Sequence, residues 1–114
     1  MKPERQDKIF HALAHAARRR ILDIVLASPG CNVNSVCEHF EMSRIAVMGH
    51  INVLERSGLL VSERRWRDRC LFFNAVPLQL INERWTSKYS ALWAAALTDI
   101  KHRVEEKEDL PNAS

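Results

Sequence analysis

Glycine and proline are scarce in this 114-residue sequence, which has three glycines and four prolines. It contains no glycine-rich phosphate-binding loop, no Gly-x-Ser-x-Gly nucleophile elbow and no pair of carboxylates in a plausible cleft. With so few glycines, the chain has little room for an active site built from loops. We therefore expect that it is not an enzyme.

Cysteines and long apolar runs are also few. Cys31, Cys37 and Cys70 make an odd number without a Cys-x-x-Cys motif, so a disulfide framework is not indicated and reduced thiols fit best. The longest apolar run, residues 91–97, has seven residues, whereas a membrane span needs about 20. The N-terminal residues are not followed by an apolar stretch free of His and Arg, so a secretory signal is not expected. These absences predict a soluble cytoplasmic protein without a membrane partner.

Metal ligands are present but not in a recognisable arrangement. Thiolate and imidazole ligands for zinc could come from Cys31, Cys37, His39 and Cys70, but their spacing matches no closed motif. A second set recurs every four residues on one helical face, where such residues are usually ordinary surface or interface side chains. It consists of Asp7, His11 and His15. No metal and no cofactor are therefore expected.

Positive charge is concentrated in the first two thirds of the chain. The formal net charge is +3. Residues 1–74 hold twelve Lys and Arg against eight Asp and Glu, a balance of +4, and the remaining residues hold five against six, a balance of −1. An anionic partner should therefore meet residues 1–74.

Apolar periodicity and capping residues predict four helices in the first half of the chain. They are expected at residues 6–15, 16–28, 33–40 and 44–57. Asn32 and Ser43 are good N-caps, and Gly58 supplies the left-handed residue that ends the fourth helix. A short helix and a capped second one, joined by a tight turn, are typical of a helix-turn-helix at about 33–57.

After Gly58 the spacing of the apolar residues is no longer helical, which predicts a β-hairpin wing at about 59–74 with a long basic tip. Pro77 suits the start of a long helix at about 77–107. Residues 108–114 are expected to form a disordered tail. The sequence thus predicts a single, mainly α domain over residues 1–107, a winged helix-turn-helix with a small β-hairpin wing.

One side of the fourth helix has an unusual composition for a face in water. Projection at about 100° per residue places Val47, Ile51 and Leu54 toward the core. Ile, Gly, Met and Asn near the other side suit a DNA groove, where apolar groups touch thymine methyls, Asn pairs with adenine and Gly admits the backbone. A plain solvated face is the alternative. The residues predicted to contact DNA here are Ser43, Arg44, Ile45, Met48, Gly49, His50 and Asn52.

The hairpin tip carries four arginines within six residues, namely Arg64, Arg65, Arg67 and Arg69. Like charges at this density repel one another, and phosphates would neutralise them. A solvated charge run is the alternative. For Trp66, packing beneath the tip is favoured over stacking on the sugar backbone.

The long helix carries an apolar stripe that a small domain cannot cover alone, so a homodimer is expected. At about 1.5 Å per residue the helix would be about 45 Å long. Its predicted interface residues are Trp85, Tyr89, Leu92, Trp93, Ala96 and Ile100. The aromatic line of Trp85, Tyr89 and Trp93 could instead floor a pocket for an apolar effector, although packing is commoner.

The sequence resembles the ArsR-type winged helix-turn-helix repressors from about residue 7 to residue 107. Residues 12–14 followed by the arginines and Ile-Leu at 18–22 look like the opening signature of the family. Residues 42–51 and 53–59 look like its recognition helix and the turn into the wing. The resemblance implies a homodimer built on the first and last helices, with Phe10 and Leu13 in the interface, and repression by occupying a palindromic operator.

Within the family, the sequence is similar to a branch often encoded beside small lipid-transfer-like (SRPBCC or START-type) proteins. Gly49 stands where that branch often has Lys or Arg. Asn32 and Asn34 stand where metal-sensing members have a Cys-x-Cys pair, so the family's metal site is absent. His15-Ala16-Ala17 replaces the usual Asp-Pro-Thr.

These observations predict a sequence-specific, homodimeric repressor that binds double-stranded DNA. The alternative is a winged-helix module that binds a protein partner without specific DNA binding. Control by a small-molecule effector, a metal or thiol oxidation stays open. The sequence names neither the operator nor the regulated gene.

Overall fold

The computed structural model describes residues 1–86 and 90–109, and these residues form helices and one hairpin. In chain order the elements are α1 (Pro3–Leu13), α2 (Ala16–Ala27), α3 (Val33–Cys37), α4 (Arg44–Arg56), β1 (Leu60–Arg65), β2 (Asp68–Phe73), α5 (Val76–Thr86) and α6 (Ser90–Asp109). This order confirms the predicted fold class, a mainly α winged helix-turn-helix.

The break between α1 and α2 has no glycine or proline, and polar groups at the junction explain it. His15 is the N-cap of α2, and its Nδ1 accepts a hydrogen bond from the Ala17 amide at 3.2 Å. Arg18 donates to the His11 carbonyl at 2.9 Å and Arg19 to the Leu13 carbonyl at 2.6 Å. These bonds satisfy carbonyls that the end of α1 leaves without helical partners.

Residues 1–80 form a compact unit with an apolar core drawn from its helices and the hairpin. The core includes the three α4 residues predicted to face inward. Its fully buried apolar side chains include Ile9, Ile21, Val25, Val36, Val47, Ile51, Leu54, Leu59, Leu60 and Leu71. This burial holds α4 in place and leaves its other side exposed.

The hairpin has longer strands and a shorter turn than the sequence predicted. The strands pair antiparallel from Leu60 opposite Phe73 to Arg65 opposite Asp68, and residues 66 and 67 alone form the turn. The prediction of a long basic tip was therefore wrong, because backbone pairing extends through the charged residues. Three of the four arginines lie on strands.

The base of the wing is tied to the loop before α3. The Gly30 amide donates to the Leu71 carbonyl and the Leu71 amide to the Cys31 carbonyl, each at 2.8 Å. Asn32 and Cys70 form an isolated antiparallel bridge. The wing therefore starts from a fixed position beside the helix-turn-helix.

Residues 81–86 and 90–109 belong to a second unit. The helix predicted at 77–107 is described as α5 and α6, and residues 87–89 between them lie outside the described residues, so its continuity stays a prediction. Asp99 and Arg103 pair at 2.8 Å along α6. Residues 108 and 109 belong to α6, and the rest of the predicted tail, residues 110–114, also lies outside the described residues.

Among the described helices, none combines the length and the apolar character that crossing a membrane would require.

Candidate nucleic-acid interface

Side-chain caps and one cross-link define the helix-turn-helix. Ser43 caps α4 by accepting a hydrogen bond from the Ala46 amide at 3.1 Å, and Asn32 caps α3 by accepting from the Ser35 amide at 2.8 Å. Arg44 donates to the side-chain oxygen of Asn34. This bond joins the first turn of α4 to α3, so the start of α4 is held against its neighbouring helix.

The face of α4 opposite its buried residues is accessible. Ile45 is 83% exposed, an unusual value for a large apolar side chain near the start of a helix. Gly49 and Asn52 are exposed, and Met48 and His50 are half-buried. A Cβ added at Gly49 would meet no atom within 4 Å in the part of the chain that the structure describes. Packing within this part of the chain therefore gives no reason for a glycine at position 49.

A network of polar side chains joins the wing to α4. Both terminal nitrogens of Arg69 donate to Asn52 Oδ1 at 3.2 Å, and Arg69 also forms an ion pair with Glu55. Ser62 donates to the second Glu55 oxygen at 2.6 Å. The guanidinium of Arg69 is thus bound to side chains of its own chain, and the side-chain oxygen of Asn52 already accepts hydrogen bonds from it.

The other wing arginines are exposed and differ in their partners. Arg64 lies directly opposite Arg69 across the hairpin, a like-charge pairing that is unfavourable by itself. Arg65 pairs with Glu63 at 3.3 Å and lies 5.4 Å above the ring of Phe72. Arg67 is exposed in the turn. Arg64 and Arg67 are therefore the wing arginines best placed to take an external anion.

Two open cavities lie beside the wing, and one of them lies where the wing approaches the helix-turn-helix. One, of about 120 Å³, is lined by residues that include Asn34, Arg44, Met48, Arg67 and Arg69. The other, of about 360 Å³, is lined by Ser62, Arg64, Arg67 and Arg69. The two linings share Arg67 and Arg69, and we call the two cavities, together with the exposed side of α4, the α4–wing surface. Its arginines make it cationic.

Trp66 lies at the end of the wing and is 89% exposed. The favoured expectation that it packs beneath the tip was wrong. The hairpin turn contains only two residues, so the chain provides no layer under which the indole could be buried.

His50 connects α4 to the junction of α1 and α2. Its Nδ1 accepts a hydrogen bond from Arg18 Nε at 3.2 Å, and its ring centre lies 4.5 Å from that of His15. Burial lowers the pKa of His50, and the neighbouring His15 and Arg18 lower it further. Protonation would remove the acceptor that Arg18 uses and add charge beside a cation.

His50→Asn is expected to reduce the loss of stability at acid pH. Because the pKa of His50 is lowered in the folded protein, the unfolded chain binds more protons, and stability is lost as pH falls below about 6.5. Asn keeps an acceptor near the position of Nδ1 but does not titrate. Urea unfolding at about pH 7.5 and pH 5.5 should show a smaller difference for the variant than for the wild type. Equal differences would contradict this assignment.

Cys31 and Cys70 are neighbours at the base of the wing, but the described cysteines and histidines form no metal-binding cluster. Cys70 is buried, Cys31 and Cys37 are half-buried, and burial raises the pKa of the Cys31 thiol. Among the described residues, no group of three or more His, Cys, Asp and Glu could hold a metal ion. At the two positions corresponding to the family's Cys-x-Cys pair, Asn32 caps α3 and Asn34 accepts the bond from Arg44.

Most of the predicted interface residues are accessible in the single chain. On α1, Phe10 is exposed and Leu13 is half-buried. Tyr89 lies outside the described residues. The others are all exposed and are Trp85, Leu92, Trp93, Ala96 and Ile100.

Sequence reasoning missed the residues that position the predicted DNA contacts. These are Arg18, Asn34, Glu55 and Ser62. Only Glu55 had a local signal, since it lies one helical turn after Asn52 and is an acidic residue beside a basic segment. The other partners are brought together by the fold.

Comparisons with known proteins agree with this geometry, although no family model matches. The chain is 33% identical over 86 residues to an uncharacterized HTH-type transcriptional regulator of Bacillus subtilis, YuzN, covering 70% of this chain and 94% of that protein. It is 26% identical over 73 residues to the transcriptional repressor SdpR of the same organism, covering 64% and 80%.

Solved structures give the same result. A crystal structure of an ArsR family transcriptional regulator superposes with a TM-score of 0.69 at 30% identity, covering 82% of this chain and 95% of that one. An ArsR-like regulator from Rhodococcus sp. RHA1 has the same fold, with a TM-score of 0.65 at 24% identity over 87% of this chain and 92% of that one.

A capped helix-turn-helix, an exposed recognition helix and a basic wing define a winged-helix DNA-binding transcriptional regulator. The likeness to the ArsR family structure, at 30% identity over 95% of that chain, identifies the family. The chain belongs to the ArsR family of transcriptional regulators, which confirms the resemblance seen in its sequence.

Proposed function

We propose that the chain is a homodimeric, cytoplasmic repressor that occupies a palindromic operator. The observation that carries the proposal is the exposed face of α4, where Ile45 projects into solvent and Gly49 faces open space. This face lies beside the wing arginines, and the phosphates of DNA would neutralise their positive charge. An α-helix fits the major groove of DNA, so α4 enters that groove and the wing follows the flanking backbone.

The residues of the α4–wing surface have different roles in this proposal. Base edges are approached by Arg44, Ile45, Met48, Gly49 and Asn52. Ser43 and His50 support contacts with the sugar-phosphate backbone, and Arg64, Arg65 and Arg67 bind phosphates. Arg69, which the sequence grouped with them, acts through Asn52.

Adenine recognition by Asn52 requires the Arg69 guanidinium to move. Bidentate pairing uses the Asn oxygen as an acceptor and the amide nitrogen as a donor. In the free protein, that oxygen already accepts two bonds from Arg69. We propose that Arg69 keeps its ion pair with Glu55 and releases Asn52 when DNA binds. Recognition of adenine by Asn52 is thereby coupled to the position of the wing, which carries Arg69.

Dimerisation would bring two copies of α4 to the operator. The supporting observations are the apolar residues exposed on α6 and the exposed Phe10 on α1, surfaces that a second copy could cover. Twofold symmetry requires half-sites about 10 bp apart, centre to centre, or a multiple of that distance.

Fluorescence anisotropy with two DNA duplexes tests the proposal. The purified protein is titrated against labelled DNA from upstream of its own gene and against a scrambled duplex, each at two salt concentrations. We expect tight binding to the upstream duplex and weaker binding to the scrambled one that falls steeply with salt. Failure to bind either duplex at low salt would contradict the proposal and would favour a protein partner for the basic wing.

Arg67→Gln is expected to flatten the salt dependence of binding without changing sequence preference. If the dimer neutralises about eight phosphates, the logarithmic salt slope is about −7, and loss of one contact per subunit changes it by about two. Arg69→Gln is the matched comparison. Since Arg69 is paired with Glu55 and Asn52, its loss should change the slope less and the preference at one base pair more. The same slope change in both variants would contradict these separate roles.

A further inference from the structure

The wing ends in a turn that its sequence does not favour. Trp66 is the first of two turn residues, between the paired Arg65 and Asp68, and its φ is +59°. Among the described residues it is the non-glycine residue with a positive φ. Two-residue hairpin turns with positive φ at this position prefer Gly, Asn or Asp, because a bulky side chain crowds the backbone there.

The same residue also exposes a large apolar surface. Trp66 is 89% exposed, so its indole contributes little to the packing of this chain. Both the backbone conformation and the exposure are unfavourable for a tryptophan. Residues held in strained conformations at accessible positions are concentrated at binding sites, where the strain is part of the function.

The surroundings of Trp66 identify the class of partner. Arg64, Arg65 and Arg67 flank it, and Arg64 Nε donates to its carbonyl oxygen at 3.4 Å, which helps to hold the turn. An aromatic ring among exposed cations matches a nucleic-acid backbone, in which anionic phosphates alternate with sugars that offer apolar contact. The wing arginines and the exposed face of α4 belong to one surface, so DNA that reaches one is close to the other.

We propose that Trp66 is a DNA contact whose indole enters the minor groove beside each half-site, where it lies against deoxyribose and base edges. This inference rests on the proposed function. Apolar side chains are used as wedges in minor grooves, and arginines are attracted there by the negative potential. The flanking arginines bind phosphates, and Trp66 adds a contact that involves no charge.

Two effects should separate Trp66 from its neighbours. Because its contact releases no counterions, its loss should weaken binding without changing the salt slope. Because Gly and Asn accept the positive φ, either should make the folded protein more stable. A residue that only supports the hairpin would show the opposite effect on stability.

The test compares Trp66→Gly, Trp66→Asn and Trp66→Phe with the wild type and with Arg67→Gln. Anisotropy with upstream DNA measures affinity and salt slope, and thermal unfolding measures stability. We expect the Gly and Asn variants to bind about tenfold more weakly, because a buried apolar contact is lost, with an unchanged slope and a raised Tm. Trp66→Phe should keep most of the affinity, because an aromatic ring remains.

Wild-type affinity in the Gly and Asn variants would overturn the proposal, as would weaker binding accompanied by a lowered Tm or a flattened slope. Binding by the wild type distinguishes failure of the proposed function from failure of the proposal for Trp66. If it binds neither duplex, the proposed function fails. If it binds specifically and the variants bind equally well, only the role of Trp66 fails.

Discussion

Trp93→Glu is expected to convert the proposed homodimer into a monomer and to weaken operator binding at least a hundredfold. Trp93 is 63% exposed on α6. It lies on the same side of this helix as the exposed apolar residues Leu92, Leu97, Ile100 and Val104. Burial of one such side chain contributes about 1.5–3 kcal/mol, and the substitution also places a carboxylate in each half of the interface.

The loss of affinity follows from the loss of the second half-site contact. In a dimer, binding of the first recognition helix holds the second near its half-site at an effective concentration in the millimolar range. A monomer has no such advantage. Sedimentation equilibrium measures the oligomeric state, and anisotropy on the intact operator measures the affinity.

Thr98→Glu is the matched control for this prediction. Thr98 lies on the same exposed helix, on the side away from the apolar residues, so it receives the same charge without entering the interface. This variant should stay dimeric and bind the operator as the wild type does. A Trp93→Glu protein that remains dimeric would contradict the proposed interface.

Gly49→Ala is expected to stabilise the protein while it weakens operator binding about tenfold. Alanine is favoured over glycine inside a helix by about 0.8–1 kcal/mol. The added methyl group meets no atom within 4 Å in the described part of the chain, so no clash offsets this gain. A DNA backbone or base edge packed against Gly49 would, however, be displaced by the methyl group.

Urea unfolding and anisotropy measure the two effects separately. Gly58→Ala is the contrast, because Gly58 has a φ of +85°, where an L side chain is strained. That variant should lose stability, whereas Gly49→Ala should gain it. Wild-type DNA affinity in Gly49→Ala would show that the backbone of α4 does not approach DNA closely at this residue.

The fold was predictable because its signals are local. Ser43 and Asn32 cap the helices that follow them, and Val47, Ile51 and Leu54 recur at the spacing that buries one face of α4. Such patterns depend on residues a few positions apart, so the sequence shows them directly. The fold class and the family are confirmed, whereas the individual DNA contacts and the dimer interface stay predictions.

The separate roles of the wing arginines could not be predicted from the sequence. The four arginines looked equivalent in sequence, and their density indicated a phosphate contact. Pairing of the strands separated their roles, since it placed Arg69 against Asn52 and Glu55 and left Arg67 in the turn. A run of like charges carries no information about which member meets an acidic neighbour from another element.

The sequence by itself determined the helix-turn-helix and the basic hairpin, because capping and periodicity act over a few residues, and the resemblance of its motifs indicated the family. Only the tertiary structure decided that Arg18 bonds His50, that Arg69 occupies Asn52 and that Trp66 stands in solvent on a strained backbone. The bonded pairs are 32 and 17 residues apart. Their partners are chosen by how helices and strands pack, and that choice depends on the whole core rather than on any local pattern.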